Sequence, residues 1–502
     1  MRLIKKLTVL LLAVCTVHTA FGFSLLGPFK GYQVPALGYN LTGDIGAPMA
    51  LTEAYRWNVP VITYAFDESF IRYFGTNGMN AVEQALKIVG DVFPVSQIPL
   101  VTNTTPFGES FVTFLINGDP APNDSRGENL TAAALGLLDV KSHTLSVLLE
   151  ELGLTDPERW VYDLRARSVF TIANQTFTNY ITTINNYDPI SLKPTNTVNG
   201  KTLHYFIGDP IQPGNYADAI EFNLDPTEFY DPSTVASGQD FGILSGIFFQ
   251  RLTRDDVGGL RFLYNTNNIV TERLVNTGNS TITRGTTSGS SGLSPWTIVF
   301  GPTNLVSTNS LLFTNNPFGG TNLVDTALRP GIDRISFIRV NFDSLIGQGF
   351  TAVTNLYTDR FITNAKFFTQ PLQRAIFQPD LLFTAEDLGL IGNPARPVPM
   401  RRTGTTGWVN NDAINGSANQ GGPGVIPPPI RISFTDQFPY FENETPLFFD
   451  DLTDLTAILS GAWGSFDGTT NAPIIYPEFL GLSLEQIQSI LSTNKTTIIR
   501  SN

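Results

Sequence analysis

The sequence predicts an α+β chain: a mixed sheet with covering helices over residues 55–270, then a mostly β region over residues 296–502. Three observations predict it. Residues 59–66 alternate, with Ile62, Tyr64 and Phe66 on the apolar positions of a strand. Residues 80–93 place Val82, Ala85, Leu86, Val89 and Phe93 on one face at helical spacing. Beyond Pro295 strand patterns dominate, and residues 429–435 alternate cleanly between apolar and polar. Composition agrees. The chain has 37 Phe, 44 Gly and 33 Pro, and only 15% charged residues, a mixture that favours strands and ordered loops.

Taken in order, the chain opens on a cationic head, Met1-Arg2-Leu3-Ile4-Lys5-Lys6, and an uncharged run from Leu7 to Val17. Ala20-Phe21-Gly22 follows as a small-x-small exit. These are the three parts of a secretory signal peptide, residues 1–22, cut after Gly22. The run is too short to span a bilayer, which takes ~20 apolar residues. Leu12-Ala13-Val14-Cys15 is a poor lipobox, since Val14 does not suit the position before the cysteine. Residues 23–54 read as an extended lead-in punctuated by Gly and Pro. Residues 110–116 read as a strand. Residues 142–152 read as a helix with Leu145, Leu148, Leu149 and Leu152 buried and Gly153 as its stop. A further helix starts at Thr253, with Asp256 at capping-box spacing. Residues 276–295, rich in Gly and Ser, read as a surface loop, so a linker over 271–295 is expected to divide two domains. Residues 334–343 suit a buried strand, residues 404–429 a loop, and residues 483–491 a last helix capped by Ser483 and Gln486.

Charge and cysteine usage narrow the chemistry. Loss of the leader leaves 28 basic against 44 acidic residues and removes Cys15, the single cysteine. Disulfides and thiolate catalysis are then excluded. A formal charge of −16 without basic clusters argues against nucleic acid. It suits an extracellular or cell-surface protein, and no later apolar run is long enough for a membrane span.

Two segments together resemble the catalytic domain of matrixin-type metzincin metallopeptidases. Trp57 to Phe66, followed by Ala81-Val82-Glu83-Gln84-Ala85-Leu86-Lys87, is similar to the family's opening strand and first helix. Leu252 to Tyr264, with its pair of acids Asp255 and Asp256, is similar to its closing helix. The resemblance covers about residues 55–268. It implies a metzincin-like domain with a zinc helix between the two segments, bearing His-Glu-x-x-His-x-x-Gly-x-x-His/Asp. Aligned on Gly153, that helix puts Ser146 and Glu150 at the two histidine positions, Val147 at the general base and Asp156 at the third ligand. Beyond the leader there are two histidines, His143 and His204, so a three-histidine zinc site is excluded. The family's methionine turn is also missing, with no methionine between Met79 and Met400.

The resemblance therefore implies a pseudo-peptidase, with no catalytic residue assigned. Glu150 and Asp156 are the candidate metal ligands of a degenerate site. Calcium, which takes oxygen donors, stays open, and no other cofactor is expected. Against this, Glu150 and Glu151 read as the solvated face of an amphipathic helix. His143 reads as an exposed residue near the helix start and His204 as a half-buried strand residue. The acids of 218–231 suit a paired-carboxylate or calcium loop, or an ordinary acidic loop. Arg159, Arg165 and Arg167 read as surface ion pairs. Trp296, Trp408, Phe438, Tyr440, Phe441 and Trp463 form either a binding surface or sheet core. The function expected is that of an exported binding or structural protein whose partner is an extracellular protein or carbohydrate. The alternative is a divergent metal-dependent hydrolase using carboxylate ligands.

Overall fold

The computed structural model describes residues 22–28, 45–52, 55–104, 108, 110–208, 218–225, 227, 233–238, 244–274, 279–284, 323–349, 352–385, 388, 401–402, 409–410, 424–426, 428–434, 462–477 and 499–500. Among these residues four α-helices occur: α1 Glu68–Gly90, α2 Leu130–Ala134, α3 Val140–Glu151 and α4 Arg254–Tyr264. The strands used below are β1 Phe23–Pro28, β2 Val61–Phe66, β3 Tyr162–Ile172, β4 Gln175–Ile184, β5 Lys201–Gly208 and β6 Asp218–Asn223. The second half adds β7 Ser336–Arg339, β8 Val353–Thr363, β9 Lys366–Ile376, β10 Leu381–Thr384, β11 Arg401–Arg402 and β12 Ile430–Ser433. The architecture is α+β.

The central sheet has five strands in the order β7-β2-β10-β12-β11. Its first four strands are parallel and β11 is antiparallel to β12. Ile62 lies opposite Phe337, Tyr64 opposite Leu381, and Leu381 opposite Ile430. All six residues of β2 are buried, not the alternate ones. Parallel sheets are covered on both faces, which removes the alternation expected of a half-exposed strand. β12 keeps its alternation, with Ile430 and Ile432 buried and Arg431 half-buried. β7 is an edge strand with an exposed Ser336, so the buried strand expected over 334–343 is corrected. An edge strand lacks a neighbour on one side, and its core-like composition does not by itself cover it.

This sheet crosses the boundary expected at 271–295. β2 comes from the first half and its neighbours from residues 336–433. The expected linker also carries strands. Val270–Arg273 pairs with Thr326–Arg329, and Ser280–Arg284 pairs with β9. Buried polar contacts fasten the halves. Asp380 Oδ2 accepts from the N–H of Thr63 at 2.8 Å and pairs with Arg374, whose guanidinium also donates to the carbonyl of Val61 at 3.2 Å. Arg56 binds Glu272 at 2.6 Å and donates to the Arg329 carbonyl at 3.1 Å.

The helices follow from local chemistry. α1 begins earlier than the stripe at 80–93 suggests, because Asp67 caps it by accepting from the N–H of Phe70 at 3.1 Å. Gly75, at φ 58°, kinks it, which only a residue without a Cβ does cheaply. Its face of Val82, Ala85, Leu86 and Val89 is buried. α4 has the expected capping box: Thr253 Oγ1 accepts from the Asp256 N–H at 3.5 Å, and Asp256 Oδ2 accepts from the Thr253 N–H at 2.8 Å. The helix expected over 483–491 and most of the loop at 404–429 lie outside the described residues. No described helix is long and apolar enough to cross a membrane.

Candidate functional site

Helix α3 is the element on which the candidate ligands converge in sequence, and it is enclosed on every side. Asp139 caps it, accepting from the N–H of Ser142 at 3.0 Å and from its hydroxyl at 2.5 Å. The same Ser142 oxygen accepts from the N–H of Phe249 at 2.8 Å. Burial raises the Asp139 carboxyl above its ordinary range. His143 is buried, its ring edge-on to Trp463 at 4.9 Å, and burial lowers its pKa to about 3. The exposed position expected for His143 is thus corrected. Ser146, which the resemblance aligns with a first ligand, donates its hydroxyl to the carbonyl of Val235 at 2.7 Å. Val147, at the general-base position, is buried.

The far end of α3 is equally fixed. Trp57 Nε1 donates to the Glu151 carbonyl at 2.6 Å and Tyr264 Oη to the Leu152 carbonyl at 2.9 Å. Gly153 turns the chain at φ 102°, and a Cβ there would lie 2.3 Å from the Tyr55 carbonyl oxygen. Glu150 and Glu151 are 2% and 1% exposed. The solvated face expected for them is therefore corrected: both are buried, and α3 packs against residues 233–238, the segment of Phe249 and that of Trp463. These come from remote parts of the chain.

Asp156 follows α3 as a turn residue. Its Oδ1 accepts from the N–H groups of Glu158 at 2.7 Å and Arg159 at 3.1 Å. Burial first, and the neighbouring Glu158 second, push its pKa up to about 8. Glu158 accepts from the N–H of Ser233 at 3.0 Å and from its hydroxyl. Asp256 accepts from the N–H groups of Val235 at 3.2 Å and Ala236 at 3.1 Å. So Glu158 and Asp256 hold the 233–238 turn. Among the described residues no three His, Cys, Asp or Glu side chains are grouped to hold a metal ion.

The other expected residues fall elsewhere. Arg159 pairs with Glu221 at 2.9 Å in the interior, not at the surface, and Glu221 also accepts from the N–H of Tyr162 at 2.8 Å. Glu221 belongs to β6, which answers the loop expected over 218–231 at that position; Glu228 and Asp231 lie outside the described residues. Arg165 pairs with the buried Asp163 at 2.8 Å. Of the second-half aromatics, Trp463 is core; Trp296, Trp408, Phe438, Tyr440 and Phe441 lie outside the described residues.

The exposed aromatics are in the first half. On the β5–β6 pair, His204 lies across from Phe222, with centroids 5.9 Å apart, and Phe206 lies 6.2 Å from Phe222. Phe206 is 52% and Phe222 42% exposed, and His204 is exposed rather than half-buried. On the long β3–β4 hairpin, Phe170 and Phe177 stack at 5.7 Å, both on the outside. The strand at residues 203–206 was readable; which of its faces met solvent was not. Comparison with protein-family models, curated proteins and solved structures returns no match for this chain.

Proposed function

We propose that this chain is an exported binding or structural protein built on a metallopeptidase-like frame that has lost its catalytic site. One observation carries the reading: the Ser146 hydroxyl, at the position of the first metal ligand, is spent on the Val235 carbonyl inside a helix closed on all sides. A peptidase needs an open groove beside its water-activating residue, and Val147 at that position is buried. The α3–α4 arrangement, with Trp57 and Tyr264 tied to the end of α3, supports the likeness to the frame. The parallel partners of β2 from residues 336–433 depart from a self-contained domain over 55–270. Binding falls to the exposed aromatic pairs Phe206–Phe222 and Phe170–Phe177, flat apolar faces that suit an extracellular protein or carbohydrate.

Metal content and hydrolysis test this directly. Purified protein from residue 23 onward, exchanged into metal-free buffer and titrated with zinc and calcium, is expected to bind neither stoichiometrically and to leave peptide substrates intact. Stoichiometric zinc that is lost on Glu150→Ala, with peptide cleavage, would overturn the proposal. It would favour a divergent metal-dependent hydrolase with Glu150 and Asp156 as ligands.

A further inference from the structure

The β3–β4 hairpin turns at Ala173 and Asn174, both at positive φ, 51° and 65°. Residues directly opposed in its ladder share one face of the ribbon. Thr176, Thr178 and Tyr180 lie on one face, and Tyr180 packs against the small core around Tyr162, Leu203 and Ala219. That face looks toward the molecule. The other face carries Ile172, the Phe170–Phe177 pair and Ile181, and it looks away. Ile172, Phe170, Phe177 and Ile181 are 61%, 45%, 43% and 53% exposed. Beyond Arg167 every residue of β3 is exposed, so the ribbon stands clear of the body toward its tip.

A two-stranded ribbon is marginal in water by itself, and among the described residues no third strand joins either edge. The four outward side chains leave roughly 400 Å² of apolar surface in water, a size that marks an interaction site. Charge narrows what can cover it. Ser168 to Ile181 holds no charged residue, in a chain of net charge −13. Two such acidic bodies repel each other, whereas the ribbon offers a neutral contact at a distance from them. Around the apolar residues lie Ser168, Gln175 and Asn179 on the same face. Hydroxyls and amides both donate and accept, so each can pair with its own copy. A different protein would be selected by arginine or other charged anchors, and this face has none. A bilayer is disfavoured by Asn174, Gln175 and Thr176 at the apex, which would enter it first without partners.

We propose that the outward face of the β3–β4 ribbon is a self-association site, on which a second copy of this chain packs its own Phe170–Phe177 face about a two-fold axis. The two ribbons then form sheet layers ~10 Å apart, each covering the other's apolar side. This rests on the binding reading above and gives the ribbon's part of it to a second copy, while the β5–β6 face is left to other partners. Two copies cover about 800 Å² in all, which is small for a permanent pair. The dimer is therefore a reversible one, in the micromolar range.

Sedimentation velocity of the full chain across a micromolar concentration series is expected to show monomer passing reversibly into dimer. Phe177→Glu and Ile172→Glu, both on the outward face, are each expected to weaken the dimer at least about tenfold. Thr176→Glu, on the opposite face, is expected to leave it unchanged. All three positions are exposed, so thermal melting of the variants is expected to match that of the parent. A monomer at every concentration would overturn the dimer. Equal weakening in all three variants would overturn its assignment to this face. Retention of a monomeric chain on phosphatidylcholine vesicles or on a neutral polysaccharide, lost in Phe177→Glu, would overturn it in favour of lipid or sugar. The reading above fails on a different result: stoichiometric zinc with peptide cleavage would overturn that reading and leave the dimer standing.

Discussion

Burial holds His143 neutral down to about pH 3 and holds the Asp156 carboxyl protonated up to about pH 8. The two act in opposite directions on stability. Unfolded, His143 takes its proton near 6.5. Between there and 3 the unfolded chain binds more protons, so the stability tied to this residue is lost as pH falls through that window. Asp156 gives up its proton near 3.8 when unfolded and near 8 when folded, so its contribution is present below 3.8 and lost as pH rises toward 8. The windows overlap between 3.8 and 6.5, where the two slopes oppose and cancel, so denaturant unfolding is expected to read His143 alone from about pH 3 to 3.8 and Asp156 alone from about pH 6.5 to 8, each slope up to about 1.4 kcal/mol per pH unit. His143→Phe is expected to flatten the acid slope and Asp156→Asn the other. Unaltered slopes in both variants would mean that neither side chain is buried in solution. The sequence could not supply this. His143 is a polar residue outside a leucine stripe, and what covers it is Trp463, whose approach leaves no trace near it in the chain.

At the level of elements, what is written within four or five residues is legible and what depends on a turn is half-legible. The capping box of α4 needs only Thr253 and Asp256, and it forms as read. The first turns of α1 were hidden because Gly75-Thr76-Asn77-Gly78 reads as a break, whereas Gly75 kinks a continuing element. Gly153 was read as the stop of α3, and it holds a conformation that L residues rarely adopt, packed against the Tyr55 carbonyl. Gly153→Ala is expected to cost about 3 kcal/mol or more, since strain and collision add. Thermal melting would check it, and a loss below about 1 kcal/mol would show that the junction of α3 with the 55–57 segment yields. The candidate site itself was legible as a departure from a pattern. On the proposed likeness Ser146 and Val147 stand where ligand and base would be, and the contact that the Ser146 hydroxyl makes with Val235 was not legible.

For the whole molecule the expected two-part division fails, because β2 has its neighbours on the far side of it. Thr63 and Asp380, which bond through both backbone and side chain, are 317 residues apart. Parallel pairing of that range has no local signature: β2, β7 and β12 each read as strands, but nothing in a strand names its neighbour. A fragment ending at residue 284 is therefore expected to lack a cooperative thermal transition, with its amides exchanging rapidly. A sharp transition in that fragment would show that the first half carries a complete core. In the full chain, Asp380→Ala leaves Arg374 buried without its partner and is expected to cost about 3–5 kcal/mol.

The position of β2 also sets a schedule. A ribosome releases residues 61–66 first and β12 last, so an apolar strand with both edges open waits while the rest of the chain is made. Contacts this distant in sequence form slowly. On the export reading proposed above, slowness is useful, because translocation requires an unfolded polypeptide. The same delay makes premature termination hazardous. A ribosome that stops before residue 336 yields a strand with neither of its partners, and open strand edges of that kind pair with one another.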